Sequence, residues 1–411
     1  MDYRRQAAIN SMGSVVLMFG QWLISVLLVR MSGYEDAGVF SLAMTVSNVF
    51  SFFANYGLRN YQVSDVEGRF TQGQYILTRV LTALASSVAC AVYLLAAGGY
   101  SPLERWAILL YLLYSNINVL SDTLLGSLQL HERLYINGYS NMMRGTVCFL
   151  AFVGTYLAVH NLLAALTVMC LATLLLAVLY DWRCFRKVET IALWKRGDWN
   201  AAVRLLRVCF ALMLSNIFPV ITTALPRRSI QKLAGTEQLG YFSSVFTPTV
   251  LITTLVPAIV IALVPRFADA WNRRDRSSLL RLVGHTYVFT TGFVLLAELA
   301  AVVAGRFVMR LIFGAEILQY YDLLYWAILA TGINALTSCG NAILVAIGSN
   351  RAVAVGAGVA VAATLVLSDT LVRVQGINGA AYVLAFAYAL QAVIQTIVFL
   401  TKILIRKQKV Q

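Results

Sequence analysis

Two arginines stand out as residues that could bind an anion, together with an aspartate that could pair with one of them. Arg59, Asp122 and Arg144 each lie at or near the end of a long apolar segment. Guanidinium groups bind phosphate and pyrophosphate through paired, charge-assisted hydrogen bonds. A carboxylate beside them could pair with one arginine while the site is empty, and a purely structural ion pair is the alternative. These residue types indicate an anion site whose position depends on the elements that carry it.

The composition places those elements in a membrane. Of the 411 residues, 60% are hydrophobic and 12% are charged, whereas soluble domains carry about 25% charged residues. Apolar segments of about 20 residues are long enough to cross a bilayer, and they predict an all-α polytopic membrane protein with twelve spans. The predicted spans are 12–30, 38–57, 79–98, 104–126, 141–159, 162–181, 206–225, 239–264, 284–303, 323–347, 353–372 and 378–401.

One short motif occurs once in each half of the chain. The string G-x-E-x-x-G-x-F-S occupies 33–41 and again 235–243, in both cases between two predicted spans. Its glycines suit a tight turn between helices, and Glu35 and Glu237 fall in the loop. The repeat predicts two six-helix lobes, at 1–182 and 205–411. Residues 183–204 are predicted to be a cytoplasmic linker at the lipid headgroups, with Trp194, Lys195 and Arg196 among its basic and aromatic residues.

The distribution of basic residues predicts the orientation. If the chain starts in the cytoplasm and crosses the membrane twelve times, about three-quarters of its 32 Lys and Arg residues lie on the cytoplasmic side. The positive-inside rule then places both termini in the cytoplasm. This explains the formal net charge of +14 without nucleic acid as a partner. It also places Arg59, Asp122 and Arg144 at the same depth in the membrane, near its cytoplasmic face. There we expect these residues to form the cationic mouth of a substrate path.

Polar residues spaced by three, four or seven predict helix faces that avoid lipid. Such stripes occur on the first, second and fourth spans and on the seventh, eighth and tenth, which are equivalent places in the two halves. The third, fifth and sixth spans show none that is comparable. The pattern favours an aqueous cavity shared by the halves; the alternative is that these residues bond their own helix or hold helix pairs together. The predicted cavity residues are Gln21, Arg30, Asn48, Asn55, Arg59, Tyr111, Asn118, Asp122, Arg144, Asn216, Asn334 and Asn341.

Two acids are candidates for ion coupling. Asp122 lies in the predicted mouth, and Glu298 lies in an otherwise apolar span, where proton carriage competes with simple snorkelling. The six cysteines have no metal-like spacing, and the chain has no Ser-His-Asp arrangement, Gly-rich phosphate loop or HExxH motif. We therefore predict neither an enzyme nor a protein with a metal or cofactor.

Three segments resemble a known family. LLVRMSGYEDAGVFSLAMTVSNVF, LPRRSIQKLAGTEQLGYFSSVFTP and GINGAAYVLAFAYALQ are similar to Wzx-type polysaccharide flippases of the multidrug/oligosaccharidyl-lipid/polysaccharide exporter superfamily. The resemblance implies a bilobed 6+6 fold in a bacterial inner membrane. It implies that an undecaprenyl-pyrophosphate-linked oligosaccharide moves from the cytoplasmic to the external leaflet by alternating access. It also implies a cationic cavity, coupling to protons or sodium, contact with membrane lipids, and a polysaccharide polymerase and chain-length proteins as partners.

The sequence departs from the related lipid II flippases. They place arginines in the middle of the first helix, where this chain has Gln21, Ile24 and Ser25, and they have more spans. An O-antigen or capsule repeat unit is therefore the predicted substrate. The alternative is a cation-coupled multidrug exporter of the same superfamily, which the acid Asp122 would suit. A membrane enzyme, such as a sugar polymerase or acyltransferase, is a third class, and the short loops argue against it.

Overall fold

The computed structural model describes residues 2–65, 67–189 and 198–408, which are helical almost throughout. Twelve helical stretches in this described part of the chain are long and apolar enough to cross a membrane. Each corresponds to one predicted span, so the predicted all-α polytopic fold is confirmed. The sequence pattern succeeds here because span length and apolar composition are local properties.

Eight helices form the first six spans. The second span consists of α2 and α3, and the sixth consists of α7, a π-helical segment (Ala177–Trp182) and α8. The bounds are α1 (Tyr3–Ser32), α2 (Tyr34–Asn55), α3 (Leu58–Ser64), α4 (Gln72–Ala96), α5 (Pro102–Leu130), α6 (Leu134–Val159), α7 (Leu162–Leu176) and α8 (Arg183–Arg186).

Another eight helices form the last six spans. The eighth span joins α10 and α11 through a 3₁₀ turn (Thr247–Thr249), and the ninth joins α12 and α13 through a π-helical segment (Ala301–Gly305). The bounds are α9 (Asp198–Ala234), α10 (Thr236–Phe246), α11 (Val250–Asn272), α12 (Arg276–Ala300), α13 (Arg306–Phe313), α14 (Asp322–Ala346), α15 (Asn350–Gln375) and α16 (Ile377–Gln408).

Side-chain caps explain where several helices begin. The Ser101 hydroxyl accepts a hydrogen bond from the Glu104 N–H, and the Glu104 carboxylate accepts one from the Ser101 N–H, with Pro102 in the first turn of α5. Asp275 caps α12 by accepting a hydrogen bond from the N–H of Ser278. Hydrogen bonding from Ser278 lowers the pKa of Asp275. These caps satisfy N–H groups that a helix start leaves without a partner.

The repeated motif makes the same turn in both halves. Gly33 lies between α1 and α2 with φ 85°, and Gly235 lies between α9 and α10 with φ 93°. This region of φ favours glycine because a Cβ would crowd the backbone. The predicted tight turn between consecutive spans is confirmed, and it is one residue long. Glu35 and Glu237 are exposed, but they lie in the first turns of α2 and α10, so the prediction that they fall in the loop was wrong.

The chain forms two compact units, Met1–Val220 (unit 1) and Ile221–Gln411 (unit 2). The boundary between the two residue ranges falls within α9. The lobes at 1–182 and 205–411 and the linker at 183–204 remain a prediction. Of that linker, Arg183–Arg186 is helical and α9 begins at Asp198. Trp194, Lys195 and Arg196 lie outside the described residues.

Within unit 1, α1 and α6 pack backbone to backbone along a seam of four glycines. Gly13 and Gly20 of α1 face Gly138 and Gly145 of α6, seven residues apart on each helix. A Cβ added to Gly145 would lie 2.7 Å from the carbonyl oxygen of Val16, which is closer than side chains approach backbone. Small residues permit this close packing between membrane helices. The glycine seam holds the polar residues of α1 beside those of α6.

Candidate functional site

A polar cavity of about 480 Å³ lies within unit 1. This volume falls within the range of about 300–1,000 Å³ typical of small-molecule sites. Helices α1, α2, α5 and α6 each contribute one face at helical spacing. The lining residues are Ser14, Leu17, Gln21, Met44, Asn48, Ser51, Tyr111, Tyr114, Ser115, Asn118, Val119, Asp122, Leu125, Asn137, Asn141 and Arg144.

Half of the predicted cavity residues line this polar cavity, namely Gln21, Asn48, Tyr111, Asn118, Asp122 and Arg144. Arg59 reaches it through its contact with Asp122. Asn55 ends α2, and its carbonyl accepts a hydrogen bond from Arg79. Arg30 is exposed near the end of α1, nine residues beyond Gln21, which is about 13 Å along a helix. Neither Asn55 nor Arg30 is among the residues that line the cavity.

The other predicted residues lie on α9, α12 and α14. Asn216 is half-buried on α9 within unit 1. In unit 2, the Asn334 carbonyl accepts a hydrogen bond from Thr337 at 2.8 Å, and Asn341 Oδ1 accepts one from Gln395 at 2.7 Å. Glu298 is half-buried on α12, just before the π-helical segment. Their roles in binding or coupling remain predictions.

Arg59 is fixed by three acceptors. Its Nη1 donates to Asp122 Oδ1 and to the Asp122 carbonyl oxygen, each at 2.6 Å, and its Nη2 donates to Gln129 Oε1 at 2.8 Å. The Asp122 side chain stays 36% exposed on the cavity wall. The structure therefore contains the Arg59–Asp122 pair as one charge-neutral unit.

A break in the second span gives Arg59 its position. Tyr56 and Gly57 separate α2 from α3 with φ 52° and 69°. The fully buried Arg79 of α4 donates to the carbonyls of Ala54, at 3.0 Å, and Asn55. These carbonyls lack helical partners because α2 ends there. The predicted second span, 38–57, ends at this break, and the sequence analysis did not predict that the helix resumes as α3.

The fifth span carries a polar stripe that the sequence analysis missed. Asn137, Asn141 and Arg144 line the cavity from α6 at i, i+4 and i+7. The expectation that this span has no comparable stripe was wrong. The structure starts α6 at Leu134, two turns before the predicted start at residue 141. Those two turns are rich in polar residues and were assigned to a loop, although the spacing itself is readable in the sequence.

Asp181 is a further residue that the sequence analysis missed. It lies in the π-helical segment of the sixth span, is fully buried, and accepts hydrogen bonds from Arg144 Nη2 and from Ser140 Oγ, the latter at 2.7 Å. The sequence analysis placed it at the edge of the linker, since it follows the apolar run directly. With Asp181, the two arginines of the predicted cationic mouth face two carboxylates, and their formal charges balance.

Amides and aromatic rings connect the charged groups across the cavity. Arg144 Nη1 donates to Asn118 Oδ1 at 2.8 Å, and Gln21 Nε2 donates to the Tyr114 hydroxyl at 3.2 Å. Tyr114 packs edge to face on Tyr111 with ring centroids 5.4 Å apart. Such groups can hydrogen-bond hydroxyls and pack on apolar faces of a ligand. The site therefore combines anion-binding and hydroxyl-binding groups.

Solved structures with the same fold define the class. An inward-facing MATE-family multidrug resistance transporter of the MOP superfamily is similar with a TM-score of 0.75 and 14% identity, covering 99% of both chains. The lipid II flippase MurJ, in an inward closed conformation, has a TM-score of 0.70 and 13% identity over 96% of this chain and 87% of MurJ. A mutant of the Vibrio cholerae MATE transporter VcmN has a TM-score of 0.63 and 12% identity, covering 97% of this chain and 94% of VcmN.

The fold is therefore that of MOP-superfamily membrane transporters. A family model described as "Polysaccharide biosynthesis protein" matches residues 4–271, and the chain belongs to this family. Among curated protein sequences, none matches the chain. The family and the fold agree with the resemblance that the sequence indicates, and both are those of membrane transporters and flippases.

Proposed function

We propose that this protein is a flippase for an undecaprenyl-pyrophosphate-linked oligosaccharide of the O-antigen or capsule type. It moves this repeat unit from the cytoplasmic to the external leaflet of a bacterial inner membrane. The observation that carries the proposal is the polar cavity of unit 1, where Arg144 and the Arg59–Asp122 pair lie beside amides and tyrosines. Membership in the polysaccharide biosynthesis family supports the substrate class.

The cavity residues match the parts of such a substrate. Guanidinium groups bind a diphosphate through bidentate hydrogen bonds. Asn118, Asn137 and Asn141 offer donors and acceptors for sugar hydroxyls, and Tyr111 and Tyr114 offer ring faces. The prenyl tail stays in lipid, because its transfer into a polar cavity would be unfavourable. We place the mouth of the cavity on the cytoplasmic side, with both termini in the cytoplasm, from the distribution of basic residues.

A cation-coupled multidrug exporter is the second candidate. The similarity to a multidrug resistance transporter favours it, and the half-exposed Asp122 could bind an organic cation. However, Asp122 is already paired with Arg59, and Arg144 lines the same cavity. An organic cation would have to compete with Arg59 for the Asp122 carboxylate, so the flippase ranks first.

The test replaces both arginines in a host strain that lacks the native gene. The double variant Arg59→Ala/Arg144→Ala should abolish surface polysaccharide and cause lipid-linked repeat units to accumulate, with expression maintained. The matched control is Arg69→Ala, because Arg69 lies in an exposed loop, and it should leave surface polysaccharide unchanged. Normal surface polysaccharide in the double variant would contradict the proposed site. Drug sensitivity of the deletion strain with unchanged glycan would favour the exporter.

A further inference from the structure

Arg144 already has an anionic partner inside the protein. Its Nη2 donates to Asp181 Oδ2, and the Arg144 and Asp181 side chains are 4% and 0% exposed. The other arginine differs, because its partner Asp122 has a side chain that is 36% exposed on the cavity wall. The two ion pairs therefore have different access to water.

Arg144 also has an unused donor. Its Nη1 and Nη2 bind Asn118 and Asp181, whereas its buried Nε–H has no hydrogen-bond partner among the described residues. A planar guanidinium offers five N–H donors in a fixed fork. A ligand with several oxygens could therefore satisfy this side chain more fully than the single Asp181 oxygen does.

We propose that Asp181 is a resident counter-ion that a diphosphate displaces from Arg144, and that Asp181 takes up one proton in that exchange. The inference rests on the proposed function, since it takes the diphosphate of the substrate as the incoming anion. The bonds balance. The Arg144–carboxylate hydrogen bond is replaced by Arg144–phosphate hydrogen bonds, and the carboxylate accepts a proton that the solvent delivers from the buffer acid, which is left as its conjugate base.

Burial supplies the reason for the proton. An ionised carboxylate that loses its partner inside a protein is strongly destabilised and becomes neutral by protonation. Asp181 meets that condition because it is fully buried. Asp122 does not, because its exposed side chain can remain hydrated. Ser140 donates to the ionised carboxylate, and this charge-assisted hydrogen bond weakens when the acid becomes neutral.

The other groups around Asp181 do not replace Arg144 as a counter-charge. On its own span, Tyr180 and Cys184 interact with it, and on α6 Tyr135 and Tyr139 approach Tyr180. Two cations, Lys187 and Arg133, act on Cys184, but among the described residues the ion pair of Asp181 is with Arg144. Helix α5 also packs against the π-helical segment, and its acid Asp122 is held by Arg59. Displacement from Arg144 therefore leaves Asp181 without a cationic contact in the described part of the chain.

The experiment measures protons taken up when a diphosphate binds to the purified full-length protein in detergent. The probe is citronellyl diphospho-N-acetylglucosamine, a diester whose two charges do not change near neutral pH. Titration calorimetry in two buffers with different ionisation enthalpies gives the proton count. We expect uptake of about one proton per probe in the wild type and near zero in Asp181→Asn. Glu67→Gln is the control, because Glu67 is an exposed loop acid outside the cavity lining, and it should retain the uptake.

A second variant tests the exchange if Asp181→Asn does not fold. Ser140→Ala removes one hydrogen bond that holds the Asp181 carboxylate, so displacement should become easier and the probe should bind about fivefold tighter. A merely structural role predicts equal or weaker binding, which would overturn the inference. Probe binding to the wild type without proton uptake, or equal uptake by Asp181→Asn, would also overturn it. Failure of the wild type to bind the probe would instead contradict the proposed function and remove the basis of the exchange.

Discussion

At the scale of single residues, three arginines of unit 1 differ in role because they differ in burial and partners. Arg59 is paired with a half-exposed acid, and Arg144 is paired with a fully buried one. Arg79 is fully buried, and its contacts are the Thr123 hydroxyl and two backbone carbonyls. The first two can exchange partners with a ligand, whereas the third stabilises the fold.

Replacement of Arg79 should destabilise the protein. Arg79→Lys has one side-chain nitrogen, which cannot occupy the positions of both Nε, the donor to Thr123, and Nη1, the donor to the two carbonyls, so buried acceptors lose partners. We expect a loss of about 3 kcal/mol in the free energy of unfolding, since each unsatisfied buried group costs roughly 1–3 kcal/mol. Thermal unfolding in detergent measures this loss. Arg69→Lys, in the exposed loop, is the control and should unfold like the wild type; equal stability of the two variants would contradict the structural role of Arg79.

At the scale of elements, the polar cavity depends on how closely α1 and α6 approach. The glycine seam removes side chains from the contact, so Ser14, Leu17 and Gln21 face Asn141 and Arg144 across a short gap. The break between α2 and α3 has a similar effect, because it turns Arg59 toward Asp122. The backbone geometry of a few positions thus determines which side chains meet.

A methyl group in the seam should separate the helices. Gly145→Ala places a Cβ 2.7 Å from the Val16 carbonyl oxygen, and overpacking of this kind typically costs about 1–3 kcal/mol. Gly154→Ala is the matched control, because it lies on the same helix and its Cβ would meet no atom within 4 Å. We expect a lower unfolding temperature and weaker probe binding for Gly145→Ala alone. Equal behaviour of the two variants would show that the seam is not tightly packed.

At the scale of the whole molecule, twelve spans and a basic bias give one testable orientation. The repeated glycine turns place Glu35 and Glu237 at equivalent exposed positions in the first turns of α2 and α10. An even number of spans puts both termini on the same side. The bias of Lys and Arg residues then predicts that this side is the cytoplasm.

Labelling of single introduced cysteines with a membrane-impermeant maleimide tests this orientation in intact cells. Glu35→Cys and Glu237→Cys should react. Glu132→Cys and Arg273→Cys should react only after the membrane is permeabilised. Cys184 is replaced by Ser in the background, because it is half-exposed while the other native cysteines are buried. The reverse labelling pattern would place both termini outside.

The sequence by itself determined the number of spans and the duplicated glycine turn. It also named six residues that line the polar cavity of unit 1, whereas the cavity shared by the halves remains a prediction. Gln21, Asn48, Tyr111, Asn118, Asp122 and Arg144 were all predicted, because a polar stripe along one helix is visible in residue spacing. Asn137 and Asn141 have the same signal, but Asn137 lay before the predicted start at residue 141, which shortened the stripe by one member. The conformation of Gly33 and Gly235 was predictable because it depends on a few neighbouring residues.

The tertiary structure alone decided which charges pair. No spacing rule relates Arg144 to Asp181 or Arg79 to the end of α2, since these residues belong to different spans. Their contacts depend on the rotation and approach of whole helices, which the glycine seam and the break at Tyr56–Gly57 control. For this reason the sequence predicted an anion site of two arginines, and the structure supplied Asp181, the buried acid that balances one of them.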